Sequence, residues 1–265
     1  MQASGPKSTA SPAAARDRVA LVSGAARGLG LAIARRLGVI GHPVVLVDVD
    51  EAVLASAAAL REREGVDALA LRVDVTDEAA LAALPQALGD RWRRLSILVN
   101  NAGISPKHEG RKRPVESMPA SEWRRVIDVN LGGAFLLSRA CIPAVGAHGW
   151  GRIVMITSQA ARTRTVVPAA HYQASKAGLT ALARVLAAEL ADRRVTVNCV
   201  APGRIESEMT GEIDPATNAA LAATIPAARM GRPDEVAAAV AFLVSDDAGY
   251  LTGATIDVNG GSFMP

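Results

Sequence analysis

Tyr172 and Lys176 stand four residues apart in the stretch "HYQASKAG" at 171–178. On a helix that spacing puts both side chains on one face, with the ammonium beside the phenol. A free phenol ionises near pH 10, and bringing it to about 7 takes roughly 4 kcal/mol of selective stabilisation of the phenolate. A neighbouring cation acts in that direction, which makes the pair a candidate proton donor and acceptor at neutral pH.

A second group sits near the start of the chain. "SGAARGLG" carries Gly24, Gly28 and Gly30 directly after an apolar run and leads into an amphipathic segment. Glycines there allow a tight turn and let backbone N–H groups and the positive end of a helix approach a pyrophosphate. Asp48 closes the next apolar run, 18 residues after Gly30 (48 − 30 = 18). A carboxylate at that distance accepts hydrogen bonds from both hydroxyls of a ribose diol and repels the extra phosphate of NADP. Arg27 pulls the other way, because a guanidinium pairs with such a phosphate. Asp48 must occupy the place the phosphate would take, whereas Arg27 can swing to solvent, so NAD is favoured over NADP.

These residues need elements that hold them. Short β-branched runs recur at 18, 43, 68, 95, 152, 194 and 254, nearly continuous in hydrophobicity, as strands covered on both faces are. Between them lie Ala- and Leu-rich segments such as "GLAIARRLG", "EWRRVIDVNLGGAFLLSRACIPAV" and "GLTALARVLAAELA". The alternation predicts an α/β fold: a single doubly wound Rossmann-type domain over 17–265, with a seven-stranded, mainly parallel sheet and helices on both faces. Residues 1–16, small, polar and Pro-containing, read as a disordered tail. The stretches 104–119 and 204–230 read as loops at the site.

Composition narrows the partners. The chain has 265 residues, 50% hydrophobic and 3% aromatic, with 29 basic against 26 acidic residues. That near-balance, with no aromatics interleaved in a basic stripe, argues against nucleic acid. No uninterrupted apolar run reaches the ~20 residues of a membrane span. Cys141 and Cys199 lie far apart and the four histidines, His42, His108, His148 and His171, form no ligand pattern, so neither a disulfide framework nor a metal site is expected. A cytoplasmic enzyme is the default reading.

Taken together, "SGAARGLG", "NNAG" at 100–103, "YQASK" at 172–176, "APG" at 201–203 and the C-terminal "GRPDEVA…LTGATIDVNGG" resemble the classical short-chain dehydrogenase/reductase family, from about residue 17 to the end. The resemblance implies an oxidoreductase that moves a hydride between a nicotinamide cofactor and a secondary alcohol or ketone. It puts the whole turn, Gly24, Ala26, Arg27, Gly28, Leu29 and Gly30, at the cofactor. It assigns Asp74 and Val75 to the adenine, with helix capping as the alternative for Asp74, and lays Asn100, Ala102 and Gly103 along the adenosine ribose. By the same resemblance Tyr172 is the general acid/base, aided by the nicotinamide cation, and Lys176 also binds the nicotinamide ribose. Ser158 polarises the substrate oxygen, and Asn130 anchors a proton-relaying water unless it merely kinks or caps its helix. Pro202, Gly203, Ile205 and Ser207 close over the nicotinamide, with Ser207 where the family usually has threonine. The following stretch, through "IPAARMGRP", is implied to be a mobile lid.

The gap from Ser158 to Tyr172 is 14 residues, one longer than is common in the family, which leaves Thr157 or Gln159 able to share the serine's place. The basic residues of "KHEGRKR" at 107–113, with Arg162, Arg164 and Arg204, suggest an anionic substrate if they face the cleft and a solvated surface if they do not. His171, at the start of its helix, is expected to be solvent-exposed. The resemblance also implies a homotetramer, with the helices at 121–145 and 171–190 as interfaces, and fits NADPH-dependent 3-oxoacyl-thioester reductases as well as polyol and hydroxy-acid dehydrogenases. Two other classes compete: a hydrolase using Ser158 and His171, although "ITSQA" lacks a nucleophile elbow, and a non-catalytic dinucleotide sensor or scaffold.

Overall fold

The computed structural model describes residues 17–264, apart from 109–110, 166 and 207–214. The N-terminal tail and Ser207 therefore lie outside the described residues. Strand β1 (Val19–Ser23) leads through α1 (Gly28–Val39) to β2 (Val44–Asp48), and α2 (Ala52–Glu64) leads to β3 (Ala68–Arg72). Short helices α3 (Glu78–Ala82), α4 (Leu84–Leu88) and α5 (Asp90–Arg94) precede β4 (Leu95–Asn100). The chain continues through α6 (Ala120–Ile127), a π-helical turn (Asp128–Gly132), α7 (Gly133–Val145), β5 (Gly151–Ile156) and α8 (Ala170–Glu189). It ends with β6 (Val195–Pro202), α9 (Pro215–Ala223), α10 (Pro233–Leu243) and β7 (Thr255–Val258).

All seven apolar runs form strands, and they pair in the order β3-β2-β1-β4-β5-β6-β7, every pairing parallel. Alternate residues of each strand serve two cores, because successive side chains leave opposite faces. Ala20 and Val22 pack with Ile33 and Leu37 of α1 and with Val236 and Val240 of α10. Val19 and Leu21 point the other way, into the cluster of Leu137 and Cys141 of α7 with Leu179 and Ala183 of α8. The sheet is thus covered on both sides, as the nearly continuous apolar runs require.

The chain builds outward from β1 to β3 and then crosses back to place β4 on the other side of β1. At that switch point the helices that follow β1 and β4 go to opposite faces of the sheet, and a crevice opens at the carboxyl ends of the strands. The segment 122–145, which reads in the sequence as one regular helix, is interrupted by the π turn. The α6–α7 helix is long and apolar enough to cross a membrane by length and composition, yet Leu137 and Cys141 are fully buried in the core. A π turn uses one residue more than an α-helical turn, so it offsets the faces before and after it by about 100°.

The β1–α1 turn is packed against the start of the β4 loop without room for side chains. A Cβ on Gly30 would lie 2.0 Å from the carbonyl oxygen of Gly24 and 2.6 Å from Asn101 Nδ2. Gly30→Ala therefore forces the turn apart, with an expected cost of about 3 kcal/mol or more. Thermal unfolding checks this as a lowered Tm.

Candidate active site

A cleft of about 1200 Å³ lies over the carboxyl ends of the strands. Gly24, Arg27, Gly28, Leu29 and Gly30 line it, and Gly24 and Gly28 hold left-handed φ of +65° and +55°. Ala26 is buried behind the turn and is not among the lining residues; its N–H donates to Asp48 Oδ2 at 2.9 Å. Asp48 Oδ1 accepts from the N–H of Asp50 at 3.0 Å. Two backbone donors thus fix the carboxylate, and each oxygen keeps a lone pair for a diol. Arg27 is drawn to Asp50 Oδ2 at 2.9 Å. Asp50 lines the same end of the cleft, a residue the sequence reading did not single out although it stands two beyond Asp48.

Asp74 and Val75 also line the cleft. Asp74 does not cap the next helix: Oδ1 accepts from the N–H and hydroxyl of Thr76 at 2.9 and 2.8 Å, and Asp77 caps α3 through the N–H groups of Ala79 and Ala80. In "NNAG" the two asparagines face opposite ways, as neighbours at the end of a strand do. Asn100 Nδ2 donates to Ser138 Oγ at 2.9 Å inside the core, so its side chain does not reach the cleft. Asn101 does, donating through Nδ2 to the carbonyls of Ser23 and Gly24, both at 3.0 Å. Ala102 and Gly103 follow it along the wall. A Cβ on Gly103 would stand 3.4 Å from Lys176 Nζ and 3.2 Å from Asn130 Oδ1. Gly103 thus packs closely against both side chains, and with the glycine turn, Asp48 and Lys176 on one cleft the residues fit a dinucleotide.

At the other end Ser158, Tyr172 and Lys176 line the cleft together with Pro202, Gly203 and Ile205. Ser158 accepts from the N–H of Ala160 at 3.1 Å and stands near enough to the Tyr172 phenol to favour its ionised form. Its neighbours are engaged elsewhere: Thr157 Oγ1 donates to the carbonyl of Val200 at 3.0 Å, and Gln159 Oε1 accepts from Ser262 Oγ at 2.6 Å. The extra residue between Ser158 and Tyr172 is thus absorbed without displacing the serine from the tyrosine. Ser262, at the far C-terminus, joins the cleft lining and had no local signal in the sequence.

Lys176 is turned away from the simple pairing that the i, i+4 spacing suggests. Nζ donates to the carbonyl of Ile156 at 2.8 Å and stands 5.7 Å from the centroid of the Tyr172 ring. Burial brings its ammonium down to about 8, with Cys199 acting weakly the other way. Burial likewise pushes the Tyr172 phenol above its ordinary value, opposed by the Ser158 hydroxyl. Within the chain alone the phenol is therefore a weaker acid than free tyrosine, because desolvation penalises the anion more than its neighbours support it.

Asn130 lies in the π turn, fully buried and outside the cleft lining. Its Oδ1 accepts from the N–H of Ile104 at 2.7 Å, while Nδ2 donates to the Ile104 carbonyl at 3.0 Å and to Ser175 Oγ at 3.1 Å. Ser175 donates in turn to the carbonyl of Tyr172 at 2.8 Å. His171 is not exposed at the helix start but fully buried, with Nε2 against Glu122 Oε1 at 3.2 Å. Its ring serves a carboxylate on α6 and not Ser158, which removes the Ser–His pairing a hydrolase needs. Among the described residues no cluster of His, Cys, Asp or Glu could hold a metal ion.

The cations divide. Lys107, Arg164 and Arg204 line the cleft, joined by Arg125 of α6. Arg162 instead pairs with Asp257 at 2.5 Å, and Arg113 turns to Glu122 at 3.3 Å. The basic loop at 107–113 is therefore neither wholly a surface nor wholly a wall. Leu221, Thr224 and Ile225 also reach the cleft, so the stretch after α9 begins closes part of its mouth.

The acidity of Tyr172 can be read directly, because Tyr250, the second tyrosine, is fully exposed and replaceable. In a Tyr250→Phe protein, ultraviolet difference titration is expected to give a midpoint above the ~10 of free tyrosine. Adding NAD⁺ should lower it, since a positive ring nearby stabilises the phenolate. A low midpoint without nucleotide contradicts the dominance of desolvation.

Comparison with known proteins agrees with this geometry. The family model for enoyl-(acyl carrier protein) reductase matches residues 24–262. The 3-oxoacyl-[acyl-carrier-protein] reductase of Escherichia coli is 39% identical over 247 residues, 93% of this chain and 98% of that protein. Cis-4-hydroxycyclohexanecarboxylate dehydrogenase of Sinomonas cyclohexanicum is 39% identical over 245 residues, 92% and 96% of the two chains. Among solved structures, a 3-oxoacyl-[acyl-carrier protein] reductase from Brucella melitensis with bound NAD superposes with a TM-score of 0.86 at 36% identity, covering 98% of each chain. The chain belongs to the short-chain dehydrogenase/reductase family and is an oxidoreductase acting between alcohol and carbonyl groups with a nicotinamide cofactor.

Proposed function

We propose that the chain interconverts an anionic secondary alcohol and its ketone with NAD, with Tyr172 as the proton-transferring group. The observation that carries the reading is the convergence of Tyr172, Ser158 and Lys176 at one end of a cleft whose other end holds Asp48. When bound, the nicotinamide ring supplies or accepts the hydride. In reduction Tyr172 gives its proton to the substrate oxygen and in oxidation it takes one back, so atoms and charge balance in both directions. Ser158 donates to the same oxygen and keeps it within reach of the phenol. Lys176 uses one N–H on Ile156 and has two more for ribose hydroxyls. Asn130 holds the loop and helix between which these groups lie.

NAD is supported by the carboxylates at the adenosine end. Asp48 is oriented by two N–H groups, and Arg27, the residue that could receive an added phosphate, is paired with Asp50. An anionic substrate is supported by Lys107, Arg125, Arg164 and Arg204 along the remaining wall. Relatives named for carboxylate substrates, the hydroxycyclohexanecarboxylate dehydrogenase and a putative gluconate dehydrogenase from Agrobacterium tumefaciens at 33% identity and TM-score 0.86, fit the same charge pattern. The second reading, an NADPH-dependent 3-oxoacyl-thioester reductase, draws on the Escherichia coli relative. A homotetramer in the cytoplasm belongs to the proposal, and exposed Trp123, Phe135 and Val185 on the two helices of the expected interface support the assembly.

The deciding measurement is kcat/KM with NADH and NADPH across hydroxy acids, polyols, 2-oxo acids, ethyl acetoacetate and an acetoacetyl thioester. The expected result is a preference for NADH and for carboxylated substrates. Asp48→Ser should raise the NADPH/NADH ratio by about tenfold or more, since it removes a like charge from the phosphate position. A wild-type preference for NADPH with the thioester selects the second reading. Tyr172→Phe should lower kcat by about 10²-fold or more with cofactor affinity nearly unchanged; a substantial residual rate removes the role given to Tyr172.

A further inference from the structure

Glu122 is a nearly buried carboxylate of α6, its side chain 13% exposed, and no step of hydride or proton transfer uses it. Three groups from two separate elements converge on it. His171 Nε2, from the first turn of α8, meets Oε1 at 3.2 Å. His108 Nε2 meets Oε2 at 2.8 Å, and Arg113 Nε stands 3.3 Å from the same oxygen, both from the loop after β4. A carboxylate only accepts, so each histidine presents an N–H to it. Burial acts to raise this carboxyl, but the bonds from His171 and His108 and the charges around it hold it below its ordinary value.

The placement of these partners matters more than their number. His171 immediately precedes Tyr172, and 104–107 line the cleft immediately before His108. The loop is already held at its start, where Asn130 grips Ile104, and its far end is closed by reciprocal backbone hydrogen bonds between His108 and Arg111. The cleft wall is therefore stretched between two anchors, Asn130 and Glu122. Those two side chains also bracket the proton donor, through Ser175 on one side of Tyr172 and His171 on the other. In a straight α-helix residues eight apart lie about 80° out of phase, and the residue absorbed by the π turn reduces this to about 20°. Glu122 and Asn130 thus reach the same two elements.

We infer that Glu122 is a positioning residue: it joins the substrate-side segment 104–108, together with Arg113, to the helix turn that carries Tyr172, so that the substrate wall and the proton donor are set as one unit. The inference rests on the role proposed for Tyr172 and gives His108 and Arg113 a specificity function as well, since the wall at 105–107 follows wherever His108 is held.

The test is hydrogen–deuterium exchange on the full chain, read on peptides covering 104–113 and 170–177. Glu122→Ala should speed exchange in both peptides by about tenfold or more, whereas His108→Ala should speed it in the loop peptide alone. Should Glu122→Ala fail to fold, Glu122→Gln, which keeps an acceptor for His171 but loses the charge facing His108 and Arg113, is expected to loosen the loop peptide first. Kinetics on the panel substrate turned over fastest should split in the same way. His108→Ala raises KM several-fold with kcat nearly unchanged, and Glu122→Ala raises KM and also lowers kcat by about tenfold through misplacement of the donor. Unchanged exchange in both peptides in the Glu122 variants overturns the inference, as does a fall in kcat with no change in KM, the pattern of simple loss of folded enzyme. A failure of Tyr172→Phe to lower kcat while the exchange results hold would instead reject the role of Tyr172 and leave the joint intact.

Discussion

Both backbone hydrogen-bonding groups of Ile104 end on one side chain, the amide of Asn130, and that amide has no access to water. A buried amide without partners is costly, and so are a buried N–H and C=O. Each satisfies the other here, so the path of the chain leaving β4 is fixed by a requirement that admits few alternatives. The third bond of the amide, to Ser175, carries that constraint into α8 and onto the carbonyl of Tyr172. The loop after β4, the start of α8 and Tyr172 are therefore arranged about a single desolvated group.

The cleft also divides electrostatically along its length. One end carries Asp48, Asp50 and Asp74 around the single cation Arg27, which is paired with Asp50, and the remaining wall carries Lys107, Arg125, Arg164 and Arg204. Around Tyr172 and Lys176 the chain invests in burial, and burial alone works against the ionised form of both. Such a site is quiet until a charge enters it. In a desolvated place a nearby positive ring changes the phenol more than it would in water, because the interaction is less screened.

Much of this was legible in the sequence, and the reasons are physical. Strands covered on both faces must be apolar at nearly every position, so all seven announced themselves. The glycine turn and Asp48 are tied by local geometry and a short spacing, and the Tyr–Lys spacing follows from helical periodicity. The misreadings come from contacts between distant segments. His171 looks like an exposed helix start until Glu122, 49 residues away, covers it. Gln159 meets Ser262 across 103 residues. Asn100 and Asn101 are the same residue type side by side, and only the pleat of the strand end decides which faces the core. The π turn is hidden because "EWRRVIDVNLGGAFLLSRACIPAV" supports a regular helix equally well.

That turn has a meaning for how such a chain can change. It behaves as a surplus residue retained within a helix whose hydrogen bonding would be more regular without it. Losing one residue between 123 and 129 would regularise the helix and still leave Asn130 in phase with Glu122, because seven residues of straight α-helix turn through the same angle as eight that include the π turn. A spacing of seven and a spacing of eight between these two anchors can therefore present them on one face, the shorter through a regular helix and the longer through a π turn, so the length of the segment and the alignment of its anchors are separable.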